Sequence, residues 1–242
     1  MHDAGVMKIL IPLILLIGLG SLPAKTLEDV ISKARAFVGP EDKLEAIDVL
    51  FYQGILKPEN GASDRLISLL LEKPARQRLE ITQGSSRITM VVNDAEGFMT
   101  EENLDTGTSR TVALPLDQVR LFKANAKENL YFFRFPASAQ VRAKYLGEQQ
   151  FRGETVDAVR YLHPNGIVFF RYFNPETGDL VATQTDTDTI NVEKGEMRVD
   201  GLRFGKEVLS FEGDEQVHTI TFDRVQVNPE IVDGLFDYPE GS

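Results

Sequence analysis

The stretch RLISLLLEKPARQRLEI, residues 65–81, breaks the pattern of a half-exposed strand. Such a strand alternates apolar and polar residues, because successive side chains point to opposite faces. Here Leu66 and Leu70 point one way, and Ile67, Leu69 and Leu71 point the other. Both faces are apolar, so both require cover. Lys73-Pro74-Ala75 reads as a turn, and Leu79 and Ile81 carry the second period into the next strand.

Strand-type segments surround this hairpin at short intervals: 46–57, 86–93, 96–101 and 108–114, then 141–150, 154–162, 166–174, 179–190, 202–212 and 215–227. Turn sequences separate them, among them PENGASD (58–64), NDAEG (93–97), HPNG (163–166) and NPETGD (174–179). Two segments have a helical period instead. Thr26 with Asp29 predicts an N-cap and capping box. Leu27, Val30, Ile31, Ala34, Phe37 and Val38 then recur at helical spacing up to Gly39-Pro40. In PLDQVRLFKANAKENLYFFRF (115–135), Val119, Phe122, Ala126, Leu130 and Phe133 form one stripe after Pro115. The result is an antiparallel meander with a helical insertion. A sheet of about eleven strands twists and curls, which gives it a concave side for the helices to cover. A two-sheet sandwich with a packed helix is the alternative.

The chain has 242 residues, 42% of them hydrophobic, and carries a net charge of −11. That charge argues against nucleic acid or an anionic membrane surface as the main partner, since both attract basic patches. Cysteine is absent. Disulfides, thiolate catalysis, cysteine zinc sites and lipid attachment through cysteine are thereby excluded. MKILIPLILLIGLGSLPAKT (7–26) has a short basic start, an apolar run and small residues before Ala24. It reads as an export signal, residues 1–24, cleaved after Ala24. The mature chain, residues 25–242, is then one domain, released into the periplasm.

Little in the chain suggests catalysis. His163 precedes a proline in a turn and His218 lies in a strand, and the expected place for both is the solvent-exposed surface. No G-x-S-x-G elbow accompanies them. Gln184, Asp186 and Asp188 share a strand face in TQTDTDT (183–189), but two carboxylates fall short of a calcium shell. No catalytic residue, metal or cofactor is assigned. The unusual feature is apolar and aromatic: NLYFFRF (129–135) and IVFFRYF (167–173) suit a lining for hydrocarbon.

Taken in order, several motifs resemble the LolA/LolB-like superfamily of periplasmic outer-membrane lipoprotein-sorting proteins. They are the N-terminal helix closing on Gly39, LEAIDVLFYQGIL with Gly54, and LEKPARQRLEI with Arg78. ITMVVNDAEGFMTEE, GIVFFRYFNPETGDLVATQT, VDGLRF and the closing VNPEIVDGLFDYPEGS follow. Ala95 and Glu96 stand between Asp94 and Gly97, where the family usually has Asp directly before Gly, and tryptophan is absent. Without cysteine the chain is similar to the soluble, LolA-like carrier type. The resemblance implies an incomplete, highly curved antiparallel β-barrel with a helical lid over a hydrophobic cavity. It also implies a monomeric carrier of lipoprotein acyl chains or another lipid, with an inner-membrane donor and an outer-membrane acceptor. A sensor of mislocalised lipoproteins or lipids on the same fold is the alternative, and a hydrolase a more distant one.

The expected lining is Ile67, Leu69, Leu71, Leu79, Ile81, Ile88, Met90 and Val92 from the sheet, with Phe122, Leu130 and Phe133 from the lid. Phe98 and Phe169 complete the set.

Overall fold

The computed structural model describes residues 24–185 and 189–239; the expected leader up to residue 23 and the pair Asp186 and Asp188 lie outside them. The first helix, α1 (Leu27–Val38), starts where its capping box requires. Thr26 Oγ1 accepts from the Asp29 backbone N–H, and the Asp29 carboxylate accepts from the Thr26 N–H. A one-turn helix, α2 (Glu41–Glu45), follows Pro40. Strands β1 (Val49–Pro58), β2 (Arg65–Glu72), β3 (Arg76–Gln83), β4 (Ser86–Val92), β5 (Gly97–Asn103) and β6 (Thr108–Ala113) form an antiparallel meander. Helix α3 (Leu116–Leu130) comes next.

The second half runs through β7 (Arg142–Phe151), β8 (Glu154–Leu162), β9 (Val168–Phe173), β10 (Leu180–Thr185) and β11 (Thr189–Lys194). It continues with β12 (Met197–Val199), β13 (Leu202–Phe204), β14 (Glu207–Glu212) and β15 (Glu215–Val227). Among the described residues, thirteen strands make one sheet in the order β6-β5-β4-β3-β2-β1-β15-β14-β11-β10-β9-β8-β7, and β12 and β13 make a separate pair. One continuous sheet replaces the sandwich alternative. Its edge strands, β6 and β7, are neighbours in sequence that do not pair, and α3 lies between them in the chain. The sheet is therefore a curved, unclosed barrel.

The strand count exceeds expectation for a local reason. Segment 179–190 is two strands, β10 and β11, which pair with each other. Segment 202–212 is also two, because the chain leaves the sheet after Lys194 to make the β12–β13 hairpin and re-enters at β14. Gly195 and Gly201 take left-handed conformations (φ 68° and 81°) in that excursion.

The two halves join where β1 pairs with β15, through a register shift at Gln53/Gly54. A Cβ on Gly54 would fall 2.2 Å from the Thr221 carbonyl oxygen. Only glycine fits against the neighbouring backbone there.

The opening strand now has cover on both faces. Leu71 packs with Leu44, Ala126 and Leu130 of α2 and α3. On the other face, Leu70 packs with Val49, Val91, Phe98 and Phe236, under a C-terminal tail that brings Ile231 and Leu235. Arg78 donates through Nη1 to the Leu235 carbonyl (2.9 Å), and Asn93 Nδ2 donates to that of Phe236 (3.1 Å). Leu66, on the same face, is 58% exposed.

Gly54→Ala should destabilise the protein by about 1–3 kcal/mol, because the bulge backbone cannot retreat. A lowered urea midpoint with unchanged secondary structure is the expected result; an unchanged midpoint would show that the β1–β15 seam has slack.

Candidate functional site

Residues directly paired across an antiparallel sheet share a face, so the register sorts the concave side into rows. The first is Leu50, Leu71, Gln77, Val92 and Gly97. It is closed: Leu50, Leu71 and Val92 are 0% exposed and Gln77 2%. Helix α3 lies against it, with Asn125 Nδ2 donating to Gln77 Oε1 (3.0 Å) and Val119 seated at Gly97. The second row is Tyr52, Leu69, Leu79, Met90 and Met99, all half-buried. The third is Gly54, Ile67, Ile81, Ile88 and Glu101; Ile67 is buried, the other two isoleucines are half-buried, and the row ends on the exposed Glu101. On the far side of β1, Phe222 pairs with Gly54 and packs on Tyr52 (ring centroids 5.2 Å apart). The uncovered part of the concave face is thus an apolar trough starting one row away from α3.

The expected lining residues fall into three groups. Leu69, Leu79, Ile81, Ile88 and Met90 line the trough, with Ile67 beside them. Leu71, Val92, Leu130, Phe133 and Phe169 are on the covered side, inside close-packed core. Phe133 meets Phe173 edge-on at 4.8 Å and Phe169 packs with Val30 and Ile31 of α1. Phe122 is half-buried one turn before Ala126. Phe98 requires correction. It lies on the convex face with Val91 and Phe236, 5.0 Å from the Tyr238 ring, because it pairs with Val91 rather than Val92 and so has the opposite parity.

The cover has three pieces rather than two. Besides α1 and α3, the β12–β13 hairpin lays Met197, Val199, Leu202 and Phe204 onto the α3 side. The Phe204 ring meets Tyr52 at 6.0 Å and Phe132 at 6.3 Å. Arg35 of α1, 4% exposed, ties the pieces together. Its Nη1 donates to the Tyr131 and Phe132 carbonyls (3.0 and 2.8 Å), and its Nε and Nη2 to Glu41. Just past α3, Phe132 and Phe133 sit at φ 42° and 71°, a left-handed pair that these bonds hold, together with Tyr161 Oη donating to the Phe133 carbonyl (3.1 Å).

Buried charge fastens α3 to the opposite wall. Arg171 Nε donates to Glu128 Oε2 (3.0 Å), Arg171 Nη2 to the Glu128 carbonyl (3.2 Å), and His163 Nε2 to Glu128 Oε1 (2.7 Å). All three residues are no more than 5% exposed, so His163 belongs to the core rather than the surface. His218 is half-buried on β15, and burial lowers its pKa. Among the described residues His163 Nδ1 has no hydrogen-bond partner, and no group of three His, Asp or Glu side chains is placed to hold a metal.

Glu193 projects from the same concave wall, since Val208, its β14 partner, is opposite Ile220. Burial raises its carboxyl above the usual range, against the pull of Arg171. Burial also raises the Tyr52 phenol, helped by Glu193. Both side chains nonetheless keep accessible surface. Both therefore belong to the half-buried concave wall.

No family model matches the chain, and no curated protein does. Solved structures do. A DUF1329 family protein from Desulfovibrio piger superposes with a TM-score of 0.57 over 89% of this chain and 98% of its own, at 8% identity. A LolA superfamily protein from Nitrosomonas europaea gives 0.54 over 89% and 99%, at 11% identity. A domain from Vibrio parahaemolyticus named for outer membrane lipoprotein sorting gives 0.53 over 86% and 95%, at 9% identity. The fold is LolA-like. At these identities the likeness concerns the backbone, and each LolA-like chain has to be read from its own side chains.

Sequence reasoning missed Arg171, Glu128, Glu193 and the hairpin. A signal existed for the first: a lone arginine inside the apolar strand IVFFRYF must have a buried partner. Glu193 had none, and the resemblance marks VDGLRF (199–204) as a late strand without showing that it leaves the main sheet.

Arg171→Met should cost about 3–5 kcal/mol, because it leaves Glu128 buried and uncompensated; Arg171→Met with Glu128→Gln should recover much of the loss in urea unfolding. Glu193→Gln tests the trough wall through pH. A carboxyl whose folded pKa is raised favours the folded state only while protonated, so stability falls as pH rises from its unfolded pKa through its folded one. The variant should therefore unfold with the wild type near about pH 4 and be the more stable of the two near about pH 8. Equal melting temperatures at both would place Glu193 in bulk solvent.

Proposed function

We propose that this chain is a periplasmic carrier that holds lipid acyl chains, of lipoproteins or of another lipid, in the concave trough. The observation that carries the reading is the half-buried apolar surface of Leu69, Leu79, Ile81, Ile88 and Met90, roofed on one side by helices. Water against such a surface is unfavourable, and so is water against an acyl chain, at about 0.8 kcal/mol per methylene. Bringing the two together removes both penalties and needs no reacting group. The LolA-like fold of a domain named for lipoprotein sorting agrees with this reading. Export after cleavage near Ala24, a monomeric single domain over 25–242, loading from an inner-membrane donor and delivery to an outer-membrane acceptor complete the proposal.

The geometry separates trough residues from core residues, and variants can do the same. Met90→Glu and Ile81→Glu place charge on the half-buried row and should leave the melting temperature within a few degrees of wild type, since the charge can reach water. Uptake of a fluorescent fatty acid should fall at least about tenfold, as a desolvated charge on the lining costs well over 1.4 kcal/mol. Leu71→Glu and Phe133→Glu, in close-packed core, should unfold the protein instead. Normal fatty-acid uptake by folded Met90→Glu and Ile81→Glu would remove the trough as the binding site.

A further inference from the structure

Where the three pieces of the cover meet there is a cleft of about 810 Å³ with a different chemistry. Its lining includes Phe37, Val38 and Glu41 from the α1–α2 corner, Arg134 from just beyond α3, and Arg198 and Arg203 from the β12–β13 hairpin. Its three arginines are matched by Glu41 in the lining and by Glu28 and Glu196 beside it, so what the cleft offers an anion is guanidinium donors rather than excess charge. The guanidinium groups are held in place. Arg203 stacks over the Phe37 ring at 4.7 Å, and Arg134 is paired with Glu28 and Glu41. Arg198 and Arg203 share Glu196, Arg198 through Nε and Arg203 through Nη1 (2.8 Å). A guanidinium has five N–H donors. Among the described residues, most donors of Arg198 and Arg203 therefore have no protein acceptor, and their side chains are 55% and 33% exposed.

Position adds to these donors. Val38, in the cleft lining, packs against both core clusters beneath the cover, the one on β8–β10 and the one on β1–β2. The cleft is thus at the seam between lid pieces, above close-packed core. The hairpin that carries Arg203 also carries Phe204, whose ring meets Tyr52 of the second row, so cleft and trough flank one hairpin.

We propose that the Arg134–Arg198–Arg203 cleft binds the phosphate of an anionic lipid headgroup, so that the carrier selects anionic phospholipid over uncharged diacyl lipid. This inference rests on the carrier reading above. Guanidinium groups bind phosphate through paired, charge-assisted hydrogen bonds. A cleft of this size on an acidic protein admits one headgroup while the remaining charge repels an anionic membrane surface. Glu196 is the resident competitor, occupying one donor on each of two arginines until a phosphate supplies a better acceptor.

The test is competition for a bound fluorescent fatty acid by dioleoyl phosphatidylglycerol, dioleoylglycerol and inorganic phosphate. The full chain and two variants, Arg198→Gln/Arg203→Gln and Glu196→Gln, are compared. Wild type should prefer phosphatidylglycerol over dioleoylglycerol by about tenfold, the worth of one or two charge-assisted bonds. The double arginine variant should lose that ratio, and Glu196→Gln should increase it. Arg198→Gln alone, at an exposed position, should move the ratio in the same direction should the double variant fail to fold. Equal competition by both lipids in wild type and variants overturns the headgroup site and leaves the carrier reading standing. Binding of inorganic phosphate to the arginine cleft as tight as that of phosphatidylglycerol makes it a free-anion site and overturns the lipid assignment. Failure of every lipid to compete removes the carrier reading and this inference together.

Discussion

A curved sheet that does not close has an apolar inner face that must be covered without being filled, and the buried contact between Glu128 and Arg171 sets where the cover stops. Helix α3 occupies the chain between the unpaired edges β6 and β7. Its Ala126 and Leu130 pack toward β1 and β2, while Ala124 and the following Phe133 pack toward β8–β10. Glu128 sits among these residues and is held by Arg171 of β9 and His163. A charge at that depth is tolerable only with its partner in place. The helix is thereby fixed in one position over the first row of the sheet. The second and third rows lie beyond its reach.

Rigidity and slack are consequently distributed by row. Leu50, Leu71 and Val92 are sealed, whereas Leu79, Ile81, Ile88 and Met90 keep accessible surface. Both sets lie on the same face of the neighbouring strands β1 to β4, so no difference in residue type separates them. The distinction comes from the length and placement of α3, together with the hairpin whose Phe204 reaches Tyr52. The cover itself is joined by backbone carbonyls that Arg35 collects at the left-handed turn after α3. Close-packed regions resist deformation, so these polar joints rather than the core beneath them are the softer part of the cover.

The outer face follows a different rule. Leu70 and Phe98 would leave an apolar patch on the convex side, and a tail without regular structure covers it with Ile231, Leu235 and Phe236. Two side chains, Arg78 and Asn93, satisfy that tail's carbonyls. An irregular segment can lie on a sheet only when its backbone polar groups find such partners. The doubly apolar strand 65–72 is thus explained by two separate covers, helical inside and a tail outside.

Local physics written in short stretches was legible without coordinates. The capping box at Thr26 and Asp29, the end of α1 at Gly39, the helical stripe beginning at Val119, and the strand parity of Ile67, Leu69 and Leu71 each depend on residues a few positions apart. The resemblance in motif order extended that reading to the curved, unclosed sheet. Phe98 shows where it failed: a strand's parity relative to its neighbour depends on turn geometry, and one residue of register exchanges the faces. The division of strand 179–190 into two strands and the separate β12–β13 hairpin were hidden for a similar reason, since polar strand and polar turn share a composition. The partners Arg171–Glu128 and Arg35–Phe132 are separated by 43 and 97 positions. Sequence by itself therefore determined the elements and which faces were apolar, because both arise from neighbouring residues. Only the tertiary structure decided which apolar residues became sealed core and which became open trough, because that depends on where a distant helix comes to rest.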